Sequence, residues 1–176
     1  MPFKTLFIDR DGVINKHRPD DYVKCWDEFE FLPGVLDALA LLSSFFDRII
    51  VVTNQRGVGK GLMSESELLD IHQRMVSEIN HLGGRIDRIY YCIDTNNDSP
   101  NRKPNSGMAL QAQKDFPEIN FLESVMIGDS KSDMEFGERL GMKTVLIKPS
   151  LKPKSLLAFA QTLNNEYTYN KQQLVR

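Results

Sequence analysis

Short apolar runs alternate with helical patterns along this chain. Five runs of three or four residues are rich in β-branched or aromatic side chains and end at polar positions; they cover residues 6–8, 49–52, 89–92, 124–127 and 144–147. Such runs are too short for helices, and continuous apolar runs are typical of parallel strands that are buried on both faces. We therefore predict a parallel sheet of five strands.

Helical periodicity fills the segments between these runs. The clearest pattern covers about residues 65–82, where Ser64 and Glu67 form a capping box and Gly83 follows the last turn. Further helices are predicted at about 35–42, 108–116, 133–140 and 155–163. This alternation predicts a single α/β domain with a doubly wound parallel sheet over residues 1–163. We expect the polar tail, 164–176, to be loosely ordered.

Composition and charge narrow the class of protein. The 176 residues suit one domain, and 41% apolar and 26% charged residues exclude a mostly disordered chain. The net charge of −2 gives no basic field for nucleic acid, and no run reaches the roughly 18 apolar residues of a membrane span. Two cysteines cannot form a disulfide framework, and the start shows no secretion signal. We expect a cytoplasmic monomer without nucleic-acid or membrane partners.

Polar residues follow the predicted strands at the edge where open α/β sheets bind ligands. They are Asp9, Asp11, Thr53, Asn54, Lys103, Asp129 and Asp133. Each one alone is as well explained as a turn residue or a helix cap. All of them in this order, at successive strand ends, are better explained by the transfer of a phosphoryl group through an aspartate.

That chemistry assigns a role to each type of residue. A phosphate monoester repels nucleophiles and clustered carboxylates repel each other, so a hard cation such as Mg²⁺ is needed among them. Asp9 can attack phosphorus and form an aspartyl-phosphate. Asp11 points the same way in an extended chain, so it can protonate the leaving alcohol and later take a proton from water. Thr53 and Lys103 can contact the phosphoryl oxygens, and Asp129 completes the metal site.

Four motifs with this order and spacing resemble those of the haloacid dehalogenase (HAD) superfamily phosphatases. They are DRDGVIN at 9–15, VTNQ at 52–55, RKP at 102–104 and GDSKSD at 128–133. The resemblance covers about residues 3–148 and is strongest to the D-glycero-D-manno-heptose 1,7-bisphosphate 7-phosphatases, with histidinol-phosphate phosphatases as close relatives. It implies a Rossmannoid, HAD-like sheet with no cap domain or a minimal one.

The resemblance also implies site residues. Asp9 would be the nucleophile and Asp11 the general acid and base, and Mg²⁺ would be held by Asp9, Asp129 and the backbone carbonyl of Asp11. The residues that it places around the substrate are Thr53, Asn54, Gln55, Arg102, Lys103 and Ser130.

The glycine-rich segment 57–61 does not fit a phosphate-binding P-loop, because the required glycine and hydroxyl positions hold Asn54 and Gly61. It is interpreted as a mobile loop that brings Arg56 and Lys60 near the substrate, or as a solvated turn. His17 is a candidate for substrate contact. His72 and His81 are interpreted as surface or boundary residues.

One feature departs from these relatives, which usually carry a structural zinc before the RKP motif. The matching positions here keep Cys92 but have Asp94, Ser99 and Asn101 in place of the other ligands. Tetrahedral zinc needs several thiolate or imidazole ligands. We therefore predict Mg²⁺ as the cofactor and no zinc.

The candidate specificity residues favour a sugar bisphosphate as the substrate. They are basic: Lys16, Arg18, Arg56, Lys60 and Arg102. Cations attract a second phosphate and repel the ammonium group of histidinol phosphate, although Asp20 and Asp21 could supply acids for it. The predicted function is hydrolysis of the 7-phosphate of heptose 1,7-bisphosphate. Histidinol-phosphate or other sugar-phosphate hydrolysis is the alternative enzyme activity, and a non-catalytic phosphate-binding module is the alternative of another class.

Overall fold

The computed structural model describes residues 3–173 and contains one sheet of five parallel strands in the order β3-β2-β1-β4-β5. The strands are β1 Thr5–Ile8, β2 Arg48–Asn54, β3 Arg88–Cys92, β4 Ser124–Gly128 and β5 Lys143–Leu146. The predicted doubly wound, HAD-like α/β fold is confirmed. The sheet order reverses at β1, so the carboxyl ends of β1, β2 and β4 border one crevice.

Helices cover both faces of the sheet. They are α1 Val35–Ser43, α2 Arg56–Gly59, α3 Glu65–His81, α4 Gly107–Asp115, α5 Lys131–Arg139 and α6 Leu156–Gln173. Alternate residues of β1 point to opposite faces: Leu6 and Ile8 pack with α1, α3 and α6, whereas Phe7 packs with α4 and α5. The capping box predicted at Ser64 and Glu67 is formed at the start of α3.

The end of the chain differs from its prediction. The last predicted helix, 155–163, continues to Gln173 as α6, so residues 164–173 are helical instead of a loosely ordered tail. Leu163 packs against the core, and the ring of Tyr167 lies 5.6 Å from that of Phe45. These contacts are tertiary, so the polar composition of the segment concealed them. Residues 174–176 lie outside the described part of the chain.

The connections leave the crevice without a separate covering domain. Residues 9–34 fold over the first strand end, with Asn15 bridged to both Asp11 and Phe31. The rings of Trp26, Phe29 and Phe31 pack together beneath this loop. The connection from β2 to β3 holds only α2 and α3. None of the helices within residues 3–173 is long and apolar enough to cross a membrane.

Candidate active site

The predicted strand-end residues converge on one cavity of about 280 Å³. Its lining includes Asp9, Asp11, Asn54, Lys103, Asp129, Ser130 and Asp133, together with His17 and Tyr22 from the loop after β1. Adjacent parallel strands bring the ends of β1 and β4 side by side, because Ile8 is in register with Ile127. Asp9 and Asp129 therefore become neighbours although 120 positions separate them in the sequence.

Lys103 is the cation at the base of this cavity. It is only 3% exposed, and its Nζ lies 2.8 Å from Oδ1 of Asp9 and 2.6 Å from Oδ1 of Asp133. A third hydrogen bond goes to the carbonyl oxygen of Val52 at 2.8 Å. Asn54 fixes the backbone of Lys103, accepting from its N–H at 3.0 Å and donating to its carbonyl at 3.2 Å. Asn54 thus holds the lysine in place in addition to lining the cavity.

The carboxyl groups around Lys103 carry more negative charge than one lysine neutralises. Burial, together with the charges of Asp133 and Asp11, raises the pKa of Asp9 to about 7 against the opposing effect of Lys103. Burial and the charge of Asp133 also raise the pKa of Asp129. Burial lowers the pKa of Lys103, but its two carboxylate neighbours outweigh this and raise it. The site is therefore electrostatically suited to an additional cation.

Three of these carboxylates could share that cation. Oxygens of Asp9, Asp129 and Asp133 all lie within 4.8 Å of one another, and within residues 3–173 this is the one such group of acidic, histidine or cysteine side chains. An all-oxygen set suits Mg²⁺. Gly12 adopts φ 86° beside Asp129, and a Cβ there would collide with Oδ2 of that carboxylate. The turn after β1 therefore packs against the carboxylate of Asp129, one of the three that could bind a cation.

Asp11 is held apart from this group by three donors. Arg10 Nη2 donates to both carboxylate oxygens at 2.9 and 3.0 Å, Asn15 Nδ2 to Oδ1 at 2.9 Å, and Gln55 Nε2 to Oδ2 at 2.8 Å. Burial favours the neutral acid, but Arg10 and the other donors outweigh it and hold the pKa of Asp11 below its usual range. The carboxylate side chain of Asp11 is thus fixed at the cavity wall.

Thr53, Gln55 and Ser130 support other side chains of the site. Thr53 is 1% exposed and its hydroxyl accepts from Gln55 Nε2 at 2.8 Å, so both lie behind the cavity lining. Ser130 begins α5 as its N-cap and donates from Oγ to Oδ2 of Asp133 at 2.6 Å. This capping box explains the serine at 130 and fixes the orientation of Asp133.

Arg56 and Arg102 lie beside the cavity and do not line it. The predicted loop at 57–61 is partly the short helix α2, in which Arg56 Nη2 donates to the carbonyl of Thr95 at 2.9 Å and also contacts Asn97. Burial, and next the nearby charge of Arg56, lowers the pKa of Arg102. Nη1 of Arg102 is buried without a hydrogen-bond partner among residues 3–173.

The loop before the RKP motif, where the resemblance implies a zinc site that the residues of this chain do not match, is joined by hydrogen bonds. Cys92 is buried, and its Sγ lies 3.6 Å from Oδ2 of Asp94 and 3.8 Å from Oγ of Ser99. Ser99 Oγ also donates to Asp94. One thiol with a carboxylate and a hydroxyl does not fit tetrahedral zinc. The absence of zinc stays a prediction.

The fold brings to the site three side chains for which the sequence predicted no specific role. Asp133 joins the carboxylate group, and Arg10 contacts Asp11. The interpretation of His72 as a surface or boundary residue is wrong, because it is 5% exposed and its Nε2 lies 3.2 Å from Arg10 Nη1. Burial, then the charge of Arg10, lowers the pKa of His72 to about 3, so the imidazole is neutral. Its position four residues after Leu68, on the buried stripe of α3, was the available signal.

Known proteins with similar sequences carry related names. Residues 100–164 match the family model of HAD-hydrolase-like proteins. A D-glycero-alpha-D-manno-heptose-1,7-bisphosphate 7-phosphatase of Mycobacterium bovis is 40% identical over 136 residues, which are 77% of this chain and 72% of that protein. A phosphatase of Burkholderia mallei with the same name is 36% identical and covers 84% of this chain and 80% of its own.

Solved structures with the same fold are similar over nearly the whole chain. The D,D-heptose 1,7-bisphosphate phosphatase of B. bronchiseptica, solved with magnesium and phosphate, superposes with a TM-score of 0.77 at 27% identity, covering 93% of this chain and 99% of its own. The enzyme of Burkholderia thailandensis gives 0.66 at 29% identity, covering 91% and 97%. The chain therefore belongs to the HAD-like hydrolases, as a phosphatase of the same family as these relatives.

Proposed function

We propose that this phosphatase removes the 7-phosphate of D-glycero-D-manno-heptose 1,7-bisphosphate through an aspartyl-phosphate on Asp9, with Mg²⁺ bound. The observation that carries the chemistry is the contact of Asp9 with Lys103 at the base of a cavity lined by further carboxylates. The names of the relatives point to the substrate.

Asp9, Asp129 and Asp133, with the backbone carbonyl of Asp11, would hold the ion. Bound Mg²⁺ would neutralise phosphoryl charge and favour the ionised form of Asp9. The oxygen-only set of donors supports this ion over zinc.

Two proton movements at Asp11 accompany the two displacements. In the first, Asp9 attacks phosphorus, the ester bond breaks, and Asp11 gives its proton to the leaving oxygen. In the second, water attacks the aspartyl-phosphate, Asp11 takes the proton, and phosphate leaves. Arg10 favours ionised Asp11, which suits the second step. The negative charge of a bound substrate opposes that effect and makes the protonated form accessible for the first.

The distribution of free positive charge supports a bisphosphate. Lys16 is paired with Glu30, and Arg18 is paired with Asp21 and Glu28, so these two cations are already compensated. In contrast, Arg56 and Arg102 contact no carboxylate among the described residues.

Two close guanidinium groups beside the cavity suit a second phosphate, which arginine can bind through two parallel hydrogen bonds. The same pairing occupies Asp21, one of the two acids that histidinol phosphate could use, since Asp21 also contacts Lys24 at 2.6 Å. A sugar bisphosphate is therefore favoured over histidinol phosphate.

The test measures kcat/KM for heptose 1,7-bisphosphate, heptose 7-phosphate and histidinol phosphate with Mg²⁺ present, and identifies the remaining phosphate by ³¹P NMR. We expect the bisphosphate to be preferred and Arg102→Ala to weaken that preference. Arg74→Ala, an exposed arginine paired with Asp70 on α3, is the matched control and should change nothing. A higher value for histidinol phosphate would contradict the assignment of the substrate.

The mechanism is tested separately. Asp9→Asn should fold normally and lose turnover, because the amide has nearly the same shape but is no nucleophile. Acid quenching of the unaltered enzyme during turnover should leave a phosphoryl group on the peptide that contains Asp9. Full activity of Asp9→Asn would exclude the covalent route.

A further inference from the structure

Arg10 is a buried cation with one counterion. It is 1% exposed, and its only ion pair within residues 3–173 is the one with Asp11. Burying a guanidinium group is unfavourable unless it is paired and hydrogen-bonded. One nitrogen of its guanidinium group, Nη2, donates to both carboxylate oxygens of Asp11.

His72 contacts the other end of the same guanidinium group. Its Nε2 lies 3.2 Å from Nη1 of Arg10, and this is its one polar contact, because Nδ1 has no partner among the described residues. Since Arg10 can only donate, Nε2 accepts and Nδ1 carries the proton. A buried imidazole with this single contact serves to fix the rotation of the arginine.

The remaining donors to Asp11 come from its own loop and from the end of β2. Asn15 and Gln55 each contribute one hydrogen bond, at 2.9 and 2.8 Å. Asn15 and Gln55 each hold one oxygen, whereas Nη2 of Arg10 contacts both and also supplies the paired positive charge, so the plane of the carboxylate depends on all three and most strongly on Arg10. A general acid needs its proton within hydrogen-bond reach of the leaving oxygen, so a fixed plane affects catalysis directly.

We propose that Arg10 and His72 are positioning residues that hold Asp11 in the orientation for proton transfer to the leaving group. The inference rests on the proposed role of Asp11. Neither side chain touches substrate. Their effect is transmitted through Asp11 and grows with the need of the leaving group for a proton.

The test compares two aryl phosphates, phenyl phosphate and 4-nitrophenyl phosphate. Phenolate is the more basic leaving group and needs protonation more, whereas 4-nitrophenolate leaves readily as the anion. Arg10→Lys keeps the charge but has one nitrogen, so it cannot contact Asp11 and His72 at the same time. We expect it to lower kcat/KM about 10²-fold with phenyl phosphate and less than about 10-fold with 4-nitrophenyl phosphate, because kcat/KM reports the first displacement and excludes hydrolysis of the aspartyl-phosphate that both substrates share.

His72 supplies an independent comparison if Arg10→Lys fails to fold. His72→Phe removes the acceptor and keeps a ring, and should shift the ratio of the two kcat/KM values in the same direction by about 10-fold. His72→Gln returns an acceptor oxygen and should restore the ratio. Met75→Leu, at a buried position on the same helix, is the control for packing and should leave the ratio unchanged.

Asp11→Asn separates this inference from the proposed function. If Asp11→Asn shifts the ratio and neither Arg10→Lys nor His72→Phe does, the positioning role is refuted and the acid role of Asp11 stands. An unchanged ratio in Asp11→Asn would refute both. Equal losses on the two substrates in the Arg10 and His72 variants would identify them as structural residues only.

Discussion

Asp133 and Asp129 belong to the same group of carboxylates, but their contacts predict that replacing each by asparagine will affect the stability of the fold differently. Asp133 is fully buried and accepts hydrogen bonds from Lys103 at 2.6 Å and from Ser130 at 2.6 and 3.1 Å. Asp129 is half-buried and has no ion pair among the described residues. Burial and Asp133 raise the pKa of Asp129, so its charge is unfavourable where it stands.

Asp133→Asn should therefore destabilise the protein strongly. Removing one partner of a buried ion pair costs about 3–5 kcal/mol, because the other charge stays buried with fewer contacts. Lys103 keeps Asp9 as a partner, and the amide oxygen can still cap α5, so the lower value applies: about 3 kcal/mol. For a domain of this size that corresponds to a fall in Tm of about 6–12 °C.

Urea unfolding followed by circular dichroism, without added divalent metal, measures this difference. Asp129→Asn is the matched control: it removes a carboxylate of the same group without breaking an ion pair, so stability should be unchanged or higher. Both variants should lose stabilisation by Mg²⁺. If Asp133→Asn unfolds at the same urea concentration as the unaltered protein, the buried ion pair does not contribute as argued.

Three further results are expected. Mg²⁺ should raise Tm more at pH 7.5 than at pH 5. The pKa of Asp9 is raised to about 7 and that of Asp129 is also raised, so the folded protein binds protons at these carboxylates as pH falls, and the protons compete with the ion. Equal Tm shifts at both pH values would contradict this. Gly12→Ala should abolish Mg²⁺ binding and lower kcat at least about 10²-fold, because its Cβ would collide with Asp129. Gly61→Ala is the control: Gly61 has φ 68° but open space around it, so this variant has the backbone strain alone and should stay active. Comparable activities of the two variants would show that the close contact of Gly12 with Asp129 does not matter. Elemental analysis should find no stoichiometric zinc, and one zinc per chain would show that the loop of Cys92 binds metal despite its ligands.

Local signals in the sequence were enough for the sheet and for the outline of the site. Continuous apolar runs such as 49–52 predict strands buried on both faces, and parallel strands place their carboxyl ends at one edge. Asp9 and Asp129 directly follow such runs, so their convergence could be predicted without coordinates, whereas Lys103 lies beyond the end of β3 and was placed by the order of the motifs. The capping box at Ser64 could be predicted for the same reason, because it depends on residues three positions apart.

Contacts between distant segments decided the rest. The polar composition of residues 164–173 predicts a loose tail, but the segment continues α6, and Tyr167 contacts Phe45, which follows α1, through a contact between distant parts of the chain. His72 lies 62 positions from Arg10, and nothing local reports that they meet. Arg18 is a second example. The sequence predicts a cation that is available to the substrate, but in the fold Arg18 forms ion pairs with Asp21 and Glu28. The order of residues along the chain thus sets which chemical groups reach the strand ends. Which of their charges are neutralised depends on distances of a few ångströms between distant segments, and only folding sets those distances.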